Sequence, residues 1–457
     1  MLQVVSGSAA DNTPSTPSGW ILAGSASGGG GTFGASAGPR RLTWFVRVLA
    51  GSDTAPTTAI PSGTTGSLIT GRIITLTRTA GTDWRWAATF GDDQTSGTSF
   101  SATGTTSLTW QSGDWALIGY GVASSADSYS AEAVSVTGVT FGTVTERADS
   151  AVTTGYGATA ALATAAATAG TATLGPTITA TLGAASTGIA GVLRVREASA
   201  ACAVSPQSVF PPRNLVSATG LAGDDITTVT LYRQDGTGLT PVRAASGIDV
   251  TTQSSLLRVD AEQPLGVSIN YAAALTDLYG QQWMVYSASV TSTVASDVIS
   301  DAIRGVGAAI HIEEWADKKR TRDASVFNIN GRYVVVGKTR SAAQASITVS
   351  TDTSDDGDAL QDVLANATEG TILIRAQTTI NGVDGHLAIL DDDEKRNWQI
   401  EYREWDLDTA EADPWPDTLE AAGYTLQDIA NNFSTLQDIA AFFPGTLLDI
   451  AMYDFGD

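Results

Sequence analysis

The chain has very little sulfur or imidazole chemistry: one cysteine and two histidines in 457 residues. The single thiol, Cys202, excludes an internal disulfide framework and a cysteine-based zinc cluster. Its expected place is a core, where a free cysteine packs as a small hydrophobe. Basic residues are also scarce. Against 48 acidic residues stand 25 lysines and arginines, a formal net charge of −23. From Thr351 onward 24 acids face four bases, a net of −20. A field of that sign repels phosphate backbones, so nucleic acid is not an expected partner.

Long apolar runs are missing as well. A membrane-spanning helix needs ~20 consecutive apolar residues, and the nearest stretch, Ala158–Leu193, is interrupted throughout by Thr and Gly. No membrane insertion is expected. The opening MLQVVSGSAADNTPSTP has neither the basic nor the apolar region of a secretory leader.

What the chain does have is 42% hydrophobic residues, enough for packed cores, over a length that suits several domains. The first part is patterned as β-structure. Leu42, Trp44 and Val46 alternate with Thr43, Phe45 and Arg47, and RIITLTRT, WALIGYGVA, AEAVSVTGVTFGTVTE and GPTITATLG follow between Gly/Ser/Asp turns. Short β-branched and aromatic runs at such spacing predict a sandwich. The run ATAALATAAATAG has alanine's helix propensity, but its interleaved threonines and its context favour strand. SPQSVFPPRNL (Ser205–Leu215), with three prolines, is expected to be an interdomain linker. Beyond it, Ile269, Tyr271, Ala273 and Leu275 alternate within another set of short strands, as in an immunoglobulin-like sandwich. A third unit contains a hairpin turning at Asn330–Gly331, further strands and a helix over Gly357–Asn366.

Motifs that would carry catalysis are weak. Gly34-Ala35-Ser36-Ala37-Gly38 has the nucleophile-elbow spacing, but it lies in a Gly-rich loop followed by Pro39. VVVGKT (Val334–Thr339) resembles the end of a phosphate loop, yet Arg332 occupies the position of the required glycine. Asp352, Ser354, Asp356 and Gly357 match calcium-loop positions, but Val363 stands where a bidentate acid is needed. His311 lacks the second histidine of a zinc helix, and Glu146 with Asp149 has the wrong parity for two acids on one strand face. No catalytic residue, cofactor or metal site is assigned. Six of the eleven tryptophans fall before position 120. Trp44 alternates with core-type neighbours. Trp84 and Trp86 share a strand face near a turn and are the candidates for stacking on a sugar ring.

The order LVSATGLAGDDITTVTLYRQDGTGLTPVRAA…LLRVDAEQPLGVSINYAAALTD resembles a fibronectin-type-III-like module of minor tail proteins in long-tailed phages of actinobacteria. WADKKRTRDASVFNINGRYVVVGKTRSAAQASITVSTDT…DALQDVLANATEGTILIR is similar to the β domain with which distal tail proteins build rings. PSGWILAGSASGGGG…LTWFVRV…GTSFSATGTTSLTWQSGDWALIGYGV resembles sandwich modules of tail and fibre proteins. The resemblance implies a mainly β chain of tandem β-sandwich modules with a short α-helical C-terminal tail. Its parts are a jelly-roll-like sandwich over 1–204 that contacts carbohydrate, a fibronectin-III-like module over 205–300, a distal-tail-like β domain over 301–415 and a helical docking tail over 416–457. It also implies a virion role at the tail tip, after synthesis in the host cytoplasm. The partners would be other tail proteins, sister copies and host-surface glycan. It transfers no active-site residue. Two rival classes remain, a tail-borne polysaccharide hydrolase and a bacterial surface adhesin.

The last stretch, YTLQDIANNFSTLQDIAAFFPGTLLDIAMYDFGD, repeats Thr-Leu-x-Asp-Ile-Ala from Thr425, Thr435 and Thr446. Each repeat starts Thr-x-x-Asp, close to a capping box that opens a helix. Leu426, Ile429, Phe433, Leu436, Ile439 and Phe443 step along one apolar stripe, and Leu447, Ile450 and Tyr453 extend it. Helices this short are marginal alone. The stripe is therefore expected to dock, on its own third domain or as a strap on a neighbouring tail protein or sister copy.

Overall fold

In the computed structural model the described residues are 1–49, 51, 53–63, 65–81, 83–123, 128–207, 209–236, 238–315, 318–320, 324–329, 332–337, 343–377, 384–396, 401–422, 429, 433, 435–443 and 450. The chain is mainly β, with sandwich sheets and a short helix near its C-terminus. It divides into two compact units, Met1–Ser199 and Ala200–Asp457. Among the described residues no helix is long and apolar enough to cross a membrane.

Beside a two-stranded sheet of Leu108–Trp110 and Ala172–Leu174, the first unit is built mainly from two antiparallel sheets. One runs in the spatial order Ile21–Gly28, Arg40–Val46, Leu2–Gly7 and Leu68–Ile73. The other runs Thr145–Val152, Ala158–Gly170, Trp115–Val122, Thr177–Glu197 and Trp84–Thr103, with two short strands added. Alternation sends Trp44 and Val46 of the first sheet onto Leu117, Leu162, Leu193 and Val195 of the second. Between the sheets, Gln3 Nε2 donates to the Ala161 carbonyl at 2.7 Å. The Ala/Thr run is strand, as its context favoured. It is hydrogen-bonded to a neighbour on each side, so tertiary pairing overrides alanine's helix preference.

The second unit begins with a sandwich. Ala201–Gln207, Arg213–Thr219 and Ser255–Asp260 form one sheet, and Gly238–Pro241, Ile226–Asp235, Ser268–Asp277 and Gln282–Tyr286 form the body of the other. Ile269, Tyr271, Ala273 and Leu275 all enter its core. The linker expected over Ser205–Leu215 is not one. These residues end one strand, turn, and begin its antiparallel partner, with Ser205 opposite Leu215. Proline is tolerated there because the prolines lie near the strand end and in the turn.

A closed six-stranded barrel follows. Its order is Asp297–Asp301, Val306–Trp315, Gln344–Thr351, Arg403–Glu411, Gly385–Arg396 and Thr371–Arg375, which pairs back onto the first strand. A helix over Ser354–Asn366 begins three residues before the expected start, because Thr353 caps it by accepting from the Asp356 N–H at 3.1 Å. Leu360 and Val363 anchor that helix in the barrel core. Ala324–Ile329 and Arg332–Gly337 form a separate two-stranded ribbon, and the expected turn, Asn330–Gly331, lies outside the described residues. Trp415 and Ala421 then pack with Leu215 and Val259 of the sandwich and with Ala302 and Leu373 of the barrel.

Candidate functional site

The second unit holds a cavity of about 580 Å³ walled by the sandwich, by two barrel strands and by the segment around Trp415. Three arginines reach it from different elements: Arg233 in Ile226–Asp235, Arg243 in the turn beyond Gly238–Pro241, and Arg375 at the end of Thr371–Arg375. His386, on the next barrel strand, joins them.

Two of the guanidiniums are matched by carboxylates. Arg233 Nη1 donates to both oxygens of Asp260 at 2.9 Å, and Asp260 also accepts from the Tyr271 hydroxyl at 2.8 Å. Burial, reinforced by the negative Asp260, drives the Tyr271 phenol far above its ordinary range. Arg243 Nη2 donates to Glu262 Oε1 at 2.6 Å, and that oxygen lies 3.1 Å from His386 Nε2. Burial raises the Glu262 carboxyl, but His386 and Arg243 outweigh it and hold the group below its usual value. Arg243 also donates to the Trp415 and Pro416 carbonyls, and the His386 ring meets the Trp415 indole edge-on at 4.9 Å.

Arg375 differs. Its Nη1 donates only to main-chain carbonyls, of Pro212 at 2.9 Å and Gln263 at 3.3 Å. Burial pushes its guanidinium down to about 10. No protein-family model matches this chain, and no curated protein or solved structure matches it. The cavity's chemistry must therefore be argued from its own groups. With Asp260 and Glu262 engaged by guanidiniums, the arrangement is suited to holding a polar ligand.

No sequence pattern marks this site. Its ionisable groups lie between positions 233 and 417, on strands and turns of both sandwich and barrel, and they meet only through the packing of one on the other.

The residues singled out in the sequence are distributed elsewhere. Trp84 is 9% exposed and packs with Leu117 and Val195, so its ring has no face to offer a sugar. Trp86 is half-buried against the same cluster, with the Arg85 guanidinium 5.8 Å from its ring centre. Ser36 sits in a turn whose carbonyl accepts from the buried Arg40 guanidinium at 2.9 Å. The acids around Asp356 belong to the start of a helix, with Asp356 capped to Thr353. Cys202 is buried in the sandwich core, and burial pushes its thiol up to about 11. His311 is exposed and 3.0 Å from Asp352. Glu146 meets Glu132 from a neighbouring part of the sheet. Partial burial, the negative Glu132 and Asp149, and a hydrogen bond to Glu132 raise its carboxyl.

Of the tail stripe, Leu426, Leu447 and Tyr453 lie outside the described residues. Leu436–Phe442 is a helix with a complete capping box, Thr435 accepting from the Asp438 N–H at 3.2 Å and Asp438 accepting from the Thr435 N–H at 2.9 Å. It buries no residue. Leu436 is 85% and Phe442 53% exposed, while Ile439 and Phe443 are half-buried. Phe433 gathers with Phe442 and Phe443 at ring separations of 5.4 and 5.7 Å. Ile429 and Ile450 are helical and half-buried.

Proposed function

We propose that this chain is a structural component of a phage tail tip, assembling through its second unit and its C-terminal helices while the first unit's sandwich faces the host surface. The observation that carries this is the ribbon Ala324–Gly337, inserted between two barrel strands. Among the described residues its two strands pair only with each other. A lone two-stranded ribbon is marginal in water, and among the described residues neither of its outer edges is paired. The barrel itself has closed, which leaves the ribbon as an edge of this domain suited to pairing with another protein. The capped helix at Leu436–Phe442 supports the same role, because its exposed apolar side chains gain by docking. Its partners would be neighbouring tail proteins or sister copies.

Cryo-EM and peptide mass spectrometry of purified virions test the proposal. The expected outcome is density for the barrel at the tail tip; virions that contain none of this protein would refute it. A second reading, hydrolysis of a cell-wall polysaccharide by the first unit, gains no support from Glu132 and Glu146, which hydrogen-bond each other directly, closer than the ~5 Å that two carboxylates flanking a glycosidic bond need. Release of reducing sugar from host cell wall by the purified protein would establish it.

A further inference from the structure

We propose that the cavity between sandwich and barrel is an oxyanion site, in which the Nε–Nη2 edge of Arg375 receives a carboxylate or phosphate group of a small ligand. Arg375 forms part of the cavity wall, is only 4% exposed, and its Nε and Nη2 have no hydrogen-bond partner in the structure. These are not arbitrary atoms. Nε–H and the adjacent Nη2–H point the same way and form the edge that matches two oxygens of one carboxylate or phosphate. The remaining nitrogen, Nη1, is the one already used, on the carbonyls of Pro212 and Gln263.

The charge pattern points the same way. Arg233 is matched by Asp260 and Arg243 by Glu262, whereas among the described residues no carboxylate bonds Arg375. Buried donors left unmade are costly, and an enclosed guanidinium with an empty edge calls for an ion or water. The same cavity wall carries Asp235, Glu262, Asp384 and Asp417, and Asp260 and Glu262 act on Arg375 through space, yet among the described residues no carboxylate hydrogen-bonds its Nε–Nη2 edge. A cavity of about 580 Å³ is of the size that takes a monosaccharide-scale ligand. Both nitrogens are shielded from bulk water. A hydrogen bond made to them forms out of water, where it is strongest.

Isothermal titration calorimetry of the full chain with inorganic phosphate, galacturonate and galactose tests the site. Phosphate, galacturonate or both should bind with Kd on the order of 1 mM, and galactose should not. Binding of galacturonate alone assigns a sugar acid, and of phosphate alone a phosphate ester. Arg375→Lys keeps the charge but removes the fork, and should weaken binding by about tenfold or more. Ser246→Trp, at the exposed rim, should weaken it by obstruction without touching the guanidinium, and decides the matter if Arg375→Lys does not fold. Absence of binding by either anion at about 20 mM, or affinity unchanged in Ser246→Trp and in folded Arg375→Lys, overturns the proposal.

Discussion

Asp114 and Arg196 form a fully enclosed two-point ion pair in the first unit. Arg196 Nε donates to Asp114 Oδ1 at 2.6 Å and Nη2 to Oδ2 at 2.8 Å, with side-chain exposures of 3% and 0%. Asp114 also accepts from the Gln111 N–H at 2.9 Å, so it holds a turn against the long strand that carries Arg196. Removing one partner strands the other charge out of water. Asp114→Ala should therefore cost about 3–5 kcal/mol, read as a lower urea midpoint. A midpoint within error of the parent would show that the pair contributes little.

The closeness of the two sheets rests on glycine at one point. A Cβ on Gly119 would lie 2.7 Å from Gln3 Nε2 and 2.9 Å from Trp44 Cζ2. Gly119→Ala should destabilise by about 1–3 kcal/mol through overpacking. Gly236, where a Cβ meets nothing within 4 Å, is the control. Its alanine variant should be neutral in the same thermal melt.

Glu197 ties down the turn before Trp84. Burial acts to raise its carboxyl, but N–H groups of Gly81, Ala80 and Thr79 at 2.7 to 2.8 Å hold it down at about 2, against an ordinary 4.5. A carboxyl lowered on folding stabilises above its unfolded value, and that contribution fades as pH falls from 4.5 towards 2. Because the group is partly exposed, Glu197→Gln should cost about 1 kcal/mol or less at pH 7. Denaturant titrations should show the gap narrowing below pH 4.5 and closing as pH approaches 2; a constant gap would remove the carboxylate from the explanation.

The C-terminal helix should matter for assembly and not for folding. Leu436→Asp with Phe442→Asp changes two exposed side chains and leaves the capping box intact. Melting should be unchanged and incorporation into tails lost, and deletion of 423–457 should behave alike. Normal incorporation of either variant would rule out docking through this segment.

Local rules carried far along this chain. The alternation of Ile269, Tyr271, Ala273 and Leu275 named one core face, and Thr435 with Asp438 named a helix start, because both depend on neighbours a few residues away. The same kind of reasoning misplaced Ser205–Leu215. Its prolines resembled a linker, yet strand pairing from Ala201 to Thr219 absorbs them into a hairpin. Trp84 and Trp86 share a strand face, but which of them remains open depends on the opposing sheet.

By itself the sequence determined that the chain is β-rich and acidic, where its strands alternate, and that a capped helix lies near its end. These follow from composition and from contacts within a turn or a strand. Only the tertiary structure decided that the barrel closes, that the ribbon stands apart from it, and that Arg233, Arg243, Arg375 and His386 meet around one cavity. Arg375 lies 163 residues from the Pro212 carbonyl it bonds, and no pattern in the intervening chain encodes that pairing. Which guanidinium finds a carboxylate, and which is left with an open edge, is settled where sandwich and barrel pack together.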